Sequence, residues 1–218
     1  IRLSKALGGA RINDTDQFTV QIKRGTTVSS SATTTGASRI VISGDLTGTA
    51  GLTVNGHGNL SSTGGGNSAY LQFSGNNTGL TGGITVTGGL VEMSAANALG
   101  GNTVTLNGGG LLNTSASAIT KSNNIIIGTS GATLRNYGSS ITNYTGAVSG
   151  TGNLNLTDGG VSTLSGTNTF NGKVTLANTG VRLGINADAA LGAAPSSFTA
   201  DAISLAAGST LMNMTQAT

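Results

Sequence analysis

The chain has 218 residues, of which 37 are Gly, one is Pro and none is Cys; charged residues make up 8%, and the formal net charge is +3. The lack of Cys excludes disulfides and thiolate metal sites, and the lack of Gly at every third position excludes collagen. A hydrophobic content of 36% with so few charges does not fit a disordered chain. Residues 1–40 hold six basic and two acidic residues, a net +4, against −1 for the remainder. Only Lys23-Arg24 are adjacent, so the cations read as a solvated, edge-protecting set and no nucleic-acid partner is expected.

Residues 1–39 read as an amino-terminal arm. Asp14-Thr-Asp16 makes a turn, and Gln17-Phe-Thr-Val-Gln-Ile-Lys23 alternates Phe18, Val20 and Ile22 with polar residues, the pattern of a half-buried strand. Ser29–Gly36 is a Ser/Thr-rich strand or link. From residue 40 onward, apolar–polar–apolar triplets recur: Leu52-Thr-Val54, Leu71-Gln-Phe73, Ile84-Thr-Val86, Val104-Thr-Leu106, Leu154-Asn-Leu156, Val174-Thr-Leu176 and Ile203-Ser-Leu205. Ile40-Val-Ile42 and Ile125-Ile-Ile127 are all-apolar versions. Period 2 puts both flanking residues on one face, which makes Leu52, Val86, Leu154 and Leu176 core positions. Ala95–Leu99 and Ala187–Leu191 each suit one helical turn, closed by Gly100 and Gly192. No apolar run approaches 18 residues, so no helix of this chain spans a membrane.

The triplets also repeat as a set. Gly44-Asp-Leu46 and Leu52-Thr-Val54 return as Gly146-Ala-Val148 and Leu154-Asn-Leu156; Phe73-Ser-Gly-Asn-Asn-Thr78 returns as Leu164-Ser-Gly-Thr-Asn-Thr169. Ile84-Thr-Val86, Asn97-Ala-Leu-Gly100 and Val104-Thr-Leu106 return as Val174-Thr-Leu176, Ala189-Ala-Leu-Gly192 and Ile203-Ser-Leu205, at offsets of 90 to 102 residues. Ordered self-similarity marks a repeat architecture, in which each unit buries its apolar side on a neighbour. An antiparallel sandwich and a parallel β-helix both fit short strands with Gly turns. Three-residue strands favour the β-helix, where pairing runs between coils. The scarcity of Pro agrees, because Pro cannot donate to a ladder. The reading is all-β: a β-solenoid over 40–218, built of related modules 44–143 and 144–218, preceded by the arm 1–39.

Leu164-Ser-Gly-Thr-Asn-Thr-Phe-Asn-Gly-Lys-Val-Thr-Leu176, with Gly150-Thr-Gly-Asn-Leu-Asn-Leu156 before it and Asp188-Ala-Ala-Leu-Gly192 after it, resembles the passenger-associated repeat of bacterial autotransporters. The resemblance covers about residues 44–218. It implies a right-handed parallel β-helix displayed outside a Gram-negative-type cell, and it implies no particular activity. Lys5-Ala-Leu-Gly-Gly-Ala-Arg11 and Asp16-Gln-Phe-Thr-Val-Gln-Ile22 resemble the opening strands of Ig-like modules in large bacterial surface adhesins.

Chemistry-bearing residues are sparse. His57, the one His, sits in Asn55-Gly-His-Gly58, without the Gly-x-Ser-x-Gly elbow of a serine hydrolase. The acids are Asp14, Asp16, Asp45, Glu92, Asp158, Asp188 and Asp201; Asp45 and Glu92 lie in different parts of the repeat, not as the facing pair a glycosidase needs. Gly64-Gly-Gly66 and Gly108-Gly-Gly110 read as turns. Tyr137 and Tyr144 suit core capping more than a sugar platform. No catalytic, cofactor or metal residue is expected. The expected role is a non-enzymatic extracellular stalk, adhesive scaffold or fibre subunit. The alternatives are a glycan- or host-protein-binding module and, behind it, a polysaccharide-degrading β-helix. Self-association head to tail is expected through the solenoid ends and the arm, with Phe18, Val20, Ile22, Leu211, Met212 and Met214 as its residues.

Overall fold

A computed structural model describes residues 12–14, 18–22, 39–42, 44–56, 70–194 and 200–214. The strands come in chain order. The first seven are β1 (Ile12–Asp14), β2 (Phe18–Ile22), β3 (Arg39–Ile42), β4 (Leu46–Gly48), β5 (Leu52–Gly56), β6 (Tyr70–Phe73) and β7 (Ile84–Gly88). Then follow β8 (Leu90–Met93), β9 (Val104–Leu106), β10 (Gly110–Asn113), β11 (Ile119–Lys121), β12 (Ile125–Ile127), β13 (Ala132–Asn136) and β14 (Ile141–Tyr144). The last are β15 (Val148–Gly150), β16 (Leu154–Thr157), β17 (Val161–Leu164), β18 (Val174–Leu176), β19 (Arg182–Ile185), β20 (Ile203–Leu205) and β21 (Thr210–Asn213). The helical turn expected at Ala187–Leu191 is a 3-10 turn over Asp188–Leu191. Gly100 and Gly192 close their turns at φ +66° and +96°.

These strands form a β-solenoid. An eight-stranded sheet runs β20-β18-β16-β13-β10-β8-β6-β3, a six-stranded sheet β15-β12-β9-β7-β5-β2, a five-stranded sheet β11-β14-β17-β19-β21, and a two-stranded sheet pairs β1 with β4. Every pair is parallel, as in Leu111 beside Leu134, Leu134 beside Leu156 and Leu156 beside Leu176. In chain order a full coil, such as β3–β4–β5 or β10–β11–β12, visits the eight-stranded sheet, then the two- or five-stranded one, then the six-stranded one; the coils starting at β6 and β8 have no strand on the second face, and those from β16 onward have none in the six-stranded sheet. Strands of three to five residues suffice because those inside each sheet are paired above and below.

The inward triplet positions stack into one core. Leu52, Val86, Leu154 and Leu176 all belong to it, and none is more than 3% exposed. The amino-terminal segment is part of the same stack: Phe18, Val20 and Ile22 of β2 lie in register with Leu52, Val54 and Gly56 of β5, and β1 pairs with β4.

Two asparagines clamp the coils. Asn77 accepts the Leu46 N–H (2.7 Å) and donates from Nδ2 to the Ala98 carbonyl (2.6 Å). Asn168, its counterpart in the second module, accepts the Val148 N–H (2.7 Å) and donates to the Ala190 carbonyl (2.7 Å). Each reaches one coil back and one coil on, which explains why Asn recurs inside an otherwise Gly, Thr and aliphatic motif.

The two modules occupy different faces. The triplets at Leu52, Ile84 and Val104 lie in the six-stranded sheet, whereas their counterparts at Leu154, Val174 and Ile203 lie in the eight-stranded sheet. Leu46 is in the two-stranded sheet and its counterpart Val148 in the six-stranded one; Phe73 is in the eight-stranded sheet and Leu164 in the five-stranded one. The second module is therefore turned by one face about the axis.

Candidate functional site

Polar chemistry enters this solenoid mainly to hold it together. Lys121 is 1% exposed, and its Nζ donates to the carbonyls of Ala95 (2.6 Å) and Ala96 (2.7 Å). Burial lowers its pKa from 10.5 to about 8. Tyr144, its register partner on β14, is fully buried, and that burial holds its hydroxyl well above the ordinary pKa of 10.0.

The sign for Lys121 follows from the two states. Between pH 8 and 10.5 the unfolded chain keeps the lysine proton and the folded chain does not, so stability rises with pH across this window. Below pH 8 the whole desolvation cost is present. The difference in unfolding free energy between wild type and Lys121→Met should shift by roughly 2–3 kcal/mol in favour of wild type from pH 7.5 to pH 10. Urea titrations at the two pH values measure it, and a difference that does not change with pH refutes it.

The carboxylates are dispersed. Asp45 accepts the Asn76 N–H (2.9 Å) at a corner. Glu92 is 2% exposed on β8; its Oε1 accepts from the Thr114 hydroxyl (2.5 Å), and its Oε2 has no hydrogen-bond partner. Asp158 pairs with Arg135 (2.5 Å). Among the described residues no group of three or more His, Asp or Glu could hold a metal ion, and no helix is long and apolar enough to cross a membrane. Asp16, His57, Gly64–Gly66, Phe198 and the Ser29–Gly36 stretch lie outside the described residues.

The sequence did not reveal that Asp188 and Asp201 line one cavity. It holds about 580 Å³ between the corner at Phe170–Val174, the turn at Asp188–Ala194 and the approach to β20, and Lys173, Val174, Leu191 and Ile203 also line it. Both carboxylates are exposed, whereas the general acid of a glycosidase sits in a dry setting. Tyr144 caps the core as expected, but Tyr137 is 55% exposed in the turn after β13.

The most distinctive surface is the last described coil. Ile203 and Leu205 of β20 are 37% and 51% exposed, although their register partners Val174 and Leu176 are 1% and 0% exposed. Leu211 and Met212 of β21 are half-buried. Met214 is 48% exposed and lies against Gly184. β20 and β21 each have a hydrogen-bonded neighbour on one side only among the described residues. β2, carrying Phe18, Val20 and Ile22, is the opposite edge of the stack, so one molecule does not bring the two residue sets together. Ile203 and Leu205 belong with Leu211 and Met212; their triplet reads as core because a triplet does not say whether another coil lies above it.

Comparison with known proteins gives one finding. A family described as a prealbumin-like fold domain, of SpaA type, matches residues 1–71. Domains of this type occur in bacterial surface proteins, which agrees in kind with the resemblance of residues 1–39 to Ig-like surface modules. No curated protein and no solved structure matches the chain. Sandwiches of the Ig kind use antiparallel strands. The described strands of residues 1–71 instead run parallel to those of the next coil, so these strands are built into the solenoid.

Proposed function

We propose that this chain is a non-enzymatic, extracellular scaffold: a rigid solenoid stalk with adhesive or self-associating ends, displayed at a bacterial surface in the manner of an autotransporter passenger. The observation that carries this reading is the stack of parallel ladders, one of them continuous through eight strands from β3 to β20, which absorbs Lys121, Glu92 and the Arg135–Asp158 pair into its packing. The prealbumin-like match over residues 1–71 supports surface display, and the repeat motif supports the Gram-negative-type setting. A glycan- or host-protein-binding role is the second reading, favoured by the exposed ring of Tyr137; a glycan array tests it.

The Asp188–Asp201 cavity gives the decisive test of the non-enzymatic reading. The purified chain, incubated with a panel of polysaccharides, is expected to release no reducing ends. Turnover that disappears in Asp188→Asn or Asp201→Asn would make the protein a polysaccharide-degrading β-helix instead.

A further inference from the structure

We infer that Asn171 is a site of spontaneous covalent modification. The backbone nitrogen of Gly172 attacks the Asn171 side-chain amide, ammonia leaves, and water opens the resulting ring to aspartate or isoaspartate. This goes beyond the scaffold reading and does not depend on it.

The chain has three Asn-Gly pairs: Asn55-Gly56, Asn107-Gly108 and Asn171-Gly172. A glycine has no Cβ to crowd the approach of the preceding side chain, so all three are competent in an unfolded chain. The fold separates them. Asn55 and Gly56 both belong to β5, in register with Gln21 and Ile22 of β2. That extended backbone must leave the ladder before the Gly56 nitrogen reaches the Asn55 side chain. Asn107-Gly108 is held at both reacting groups: Asn107 Oδ1 accepts the Ser130 N–H (3.0 Å), and the Gly108 N–H donates to the Gly131 carbonyl (2.7 Å).

Asn171-Gly172 has neither lock. Asn171 is exposed at the corner before β18. Its side chain makes no hydrogen bond among the described residues, and neither does the Gly172 N–H. The corner is anchored through other atoms: the Asn171 N–H donates to the Gly150 carbonyl (3.1 Å), and the Lys173 N–H to Asn153 Oδ1 (2.9 Å). The chain is thus held in place while both reacting groups stay disengaged.

The step balances without oxidant or reductant. Base removes the Gly172 amide proton, and the nitrogen lone pair forms a bond to Cγ of Asn171. The Cγ–Nδ2 bond breaks, and Nδ2 departs as ammonia, carrying in net terms the proton lost from Gly172. Water then adds to one of the two ring carbonyls. Opening at Cγ leaves aspartate at position 171; opening at the main-chain carbonyl leaves isoaspartate, whose chain runs through Cβ and Cγ. Both products change the last coils. Asn171 lines the cavity that Asp188 and Asp201 also line, so either product adds a third carboxylate there, and like charges repel. Isoaspartate also lengthens the main chain just before Gly172. That corner is tight, because a Cβ on Gly172 would stand 2.0 Å from the Gly152 carbonyl oxygen.

The test is incubation of the purified 218-residue chain at pH 8.5, with peptide mapping by mass spectrometry over a series of days. Conversion at Asn171 is expected to outpace that at Asn55 and Asn107 by about tenfold or more, because those two pairs must first open locally. It is expected to slow at pH 6, where the amide proton is lost less readily. In urea, with ladder and corner both dissolved, the three pairs are expected to convert at similar rates. Asn171→Gln, at an exposed position, is expected to fold as wild type and to abolish the conversion there. Asn171 left intact in the folded chain while the urea control converts would overturn the inference. So would Asn55 or Asn107 converting as fast as Asn171 in the folded chain.

Discussion

Replacing Asn168 with alanine is expected to lower the unfolding free energy by about 2–5 kcal/mol. The amide of Asn168 is the partner of a backbone N–H on the coil before, at Val148, and of a carbonyl on the coil after, at Ala190. Its side chain is buried, so water does not step in when it is removed, and each orphaned group costs about 1–3 kcal/mol. Asn168→Asp keeps the acceptor but sets a carboxylate oxygen against the Ala190 carbonyl, so it should also be strongly destabilising. Asn77→Ala should behave alike, because Asn77 makes the same two kinds of bond. Urea unfolding followed by circular dichroism measures the effect. A loss under about 0.5 kcal/mol, the scale of an ordinary surface change, would show that the clamp contributes nothing.

Gly150→Ala is the second large effect, at about 3–5 kcal/mol. Gly150 has φ +113°, and a Cβ there would stand 2.0 Å from the Ile127 carbonyl oxygen and 2.8 Å from its carbonyl carbon. The obstacle is backbone one coil away, so relief means prising β15 off β12. Gly138→Ala separates the two contributions. Gly138 also has a positive φ, +61°, but a Cβ there would meet nothing within 4 Å, so its cost should be only the conformational one, about 1–2 kcal/mol. Equal losses at the two positions would mean that coil spacing does not restrict Gly150. Close stacking of this kind accounts for much of the glycine content: corners of successive coils meet backbone to backbone.

The fold class was readable because the solenoid writes its inward pair into every triplet. Leu154-Asn-Leu156 and Val174-Thr-Leu176 show the same alternation that buries them. The partner of a strand is a different matter. The alternation at Phe18, Val20 and Ile22 predicted β2, but no local signal assigned it to β5, and residues 1–39 read as an arm apart. Buried polar groups were equally hidden. Lys121 follows Ile119-Thr120 and looks like the solvated end of a strand; it is internal because Ala95 and Ala96 offer carbonyls one coil below. The Asp188–Asp201 cavity is assembled from separate turns of the last two coils, and contact between turns leaves no periodic trace. The open face at Ile203 and Leu205 was missed for the converse reason: their triplet matches the buried ones in type.

The one-face turn between the modules bears on how such a molecule lengthens. In most repeat proteins an inserted block must contain a whole number of structural units, or every residue after it changes environment. Here a triplet is at home on any of the three sides, so an insertion needs to respect only the side, not the full circuit. The smallest inherited step in length is one third of a coil. Growth or shortening by single sides slips the later sequence around the axis while keeping its inward residues inward, and a lineage of such proteins is free to vary in length in finer steps than its coils suggest.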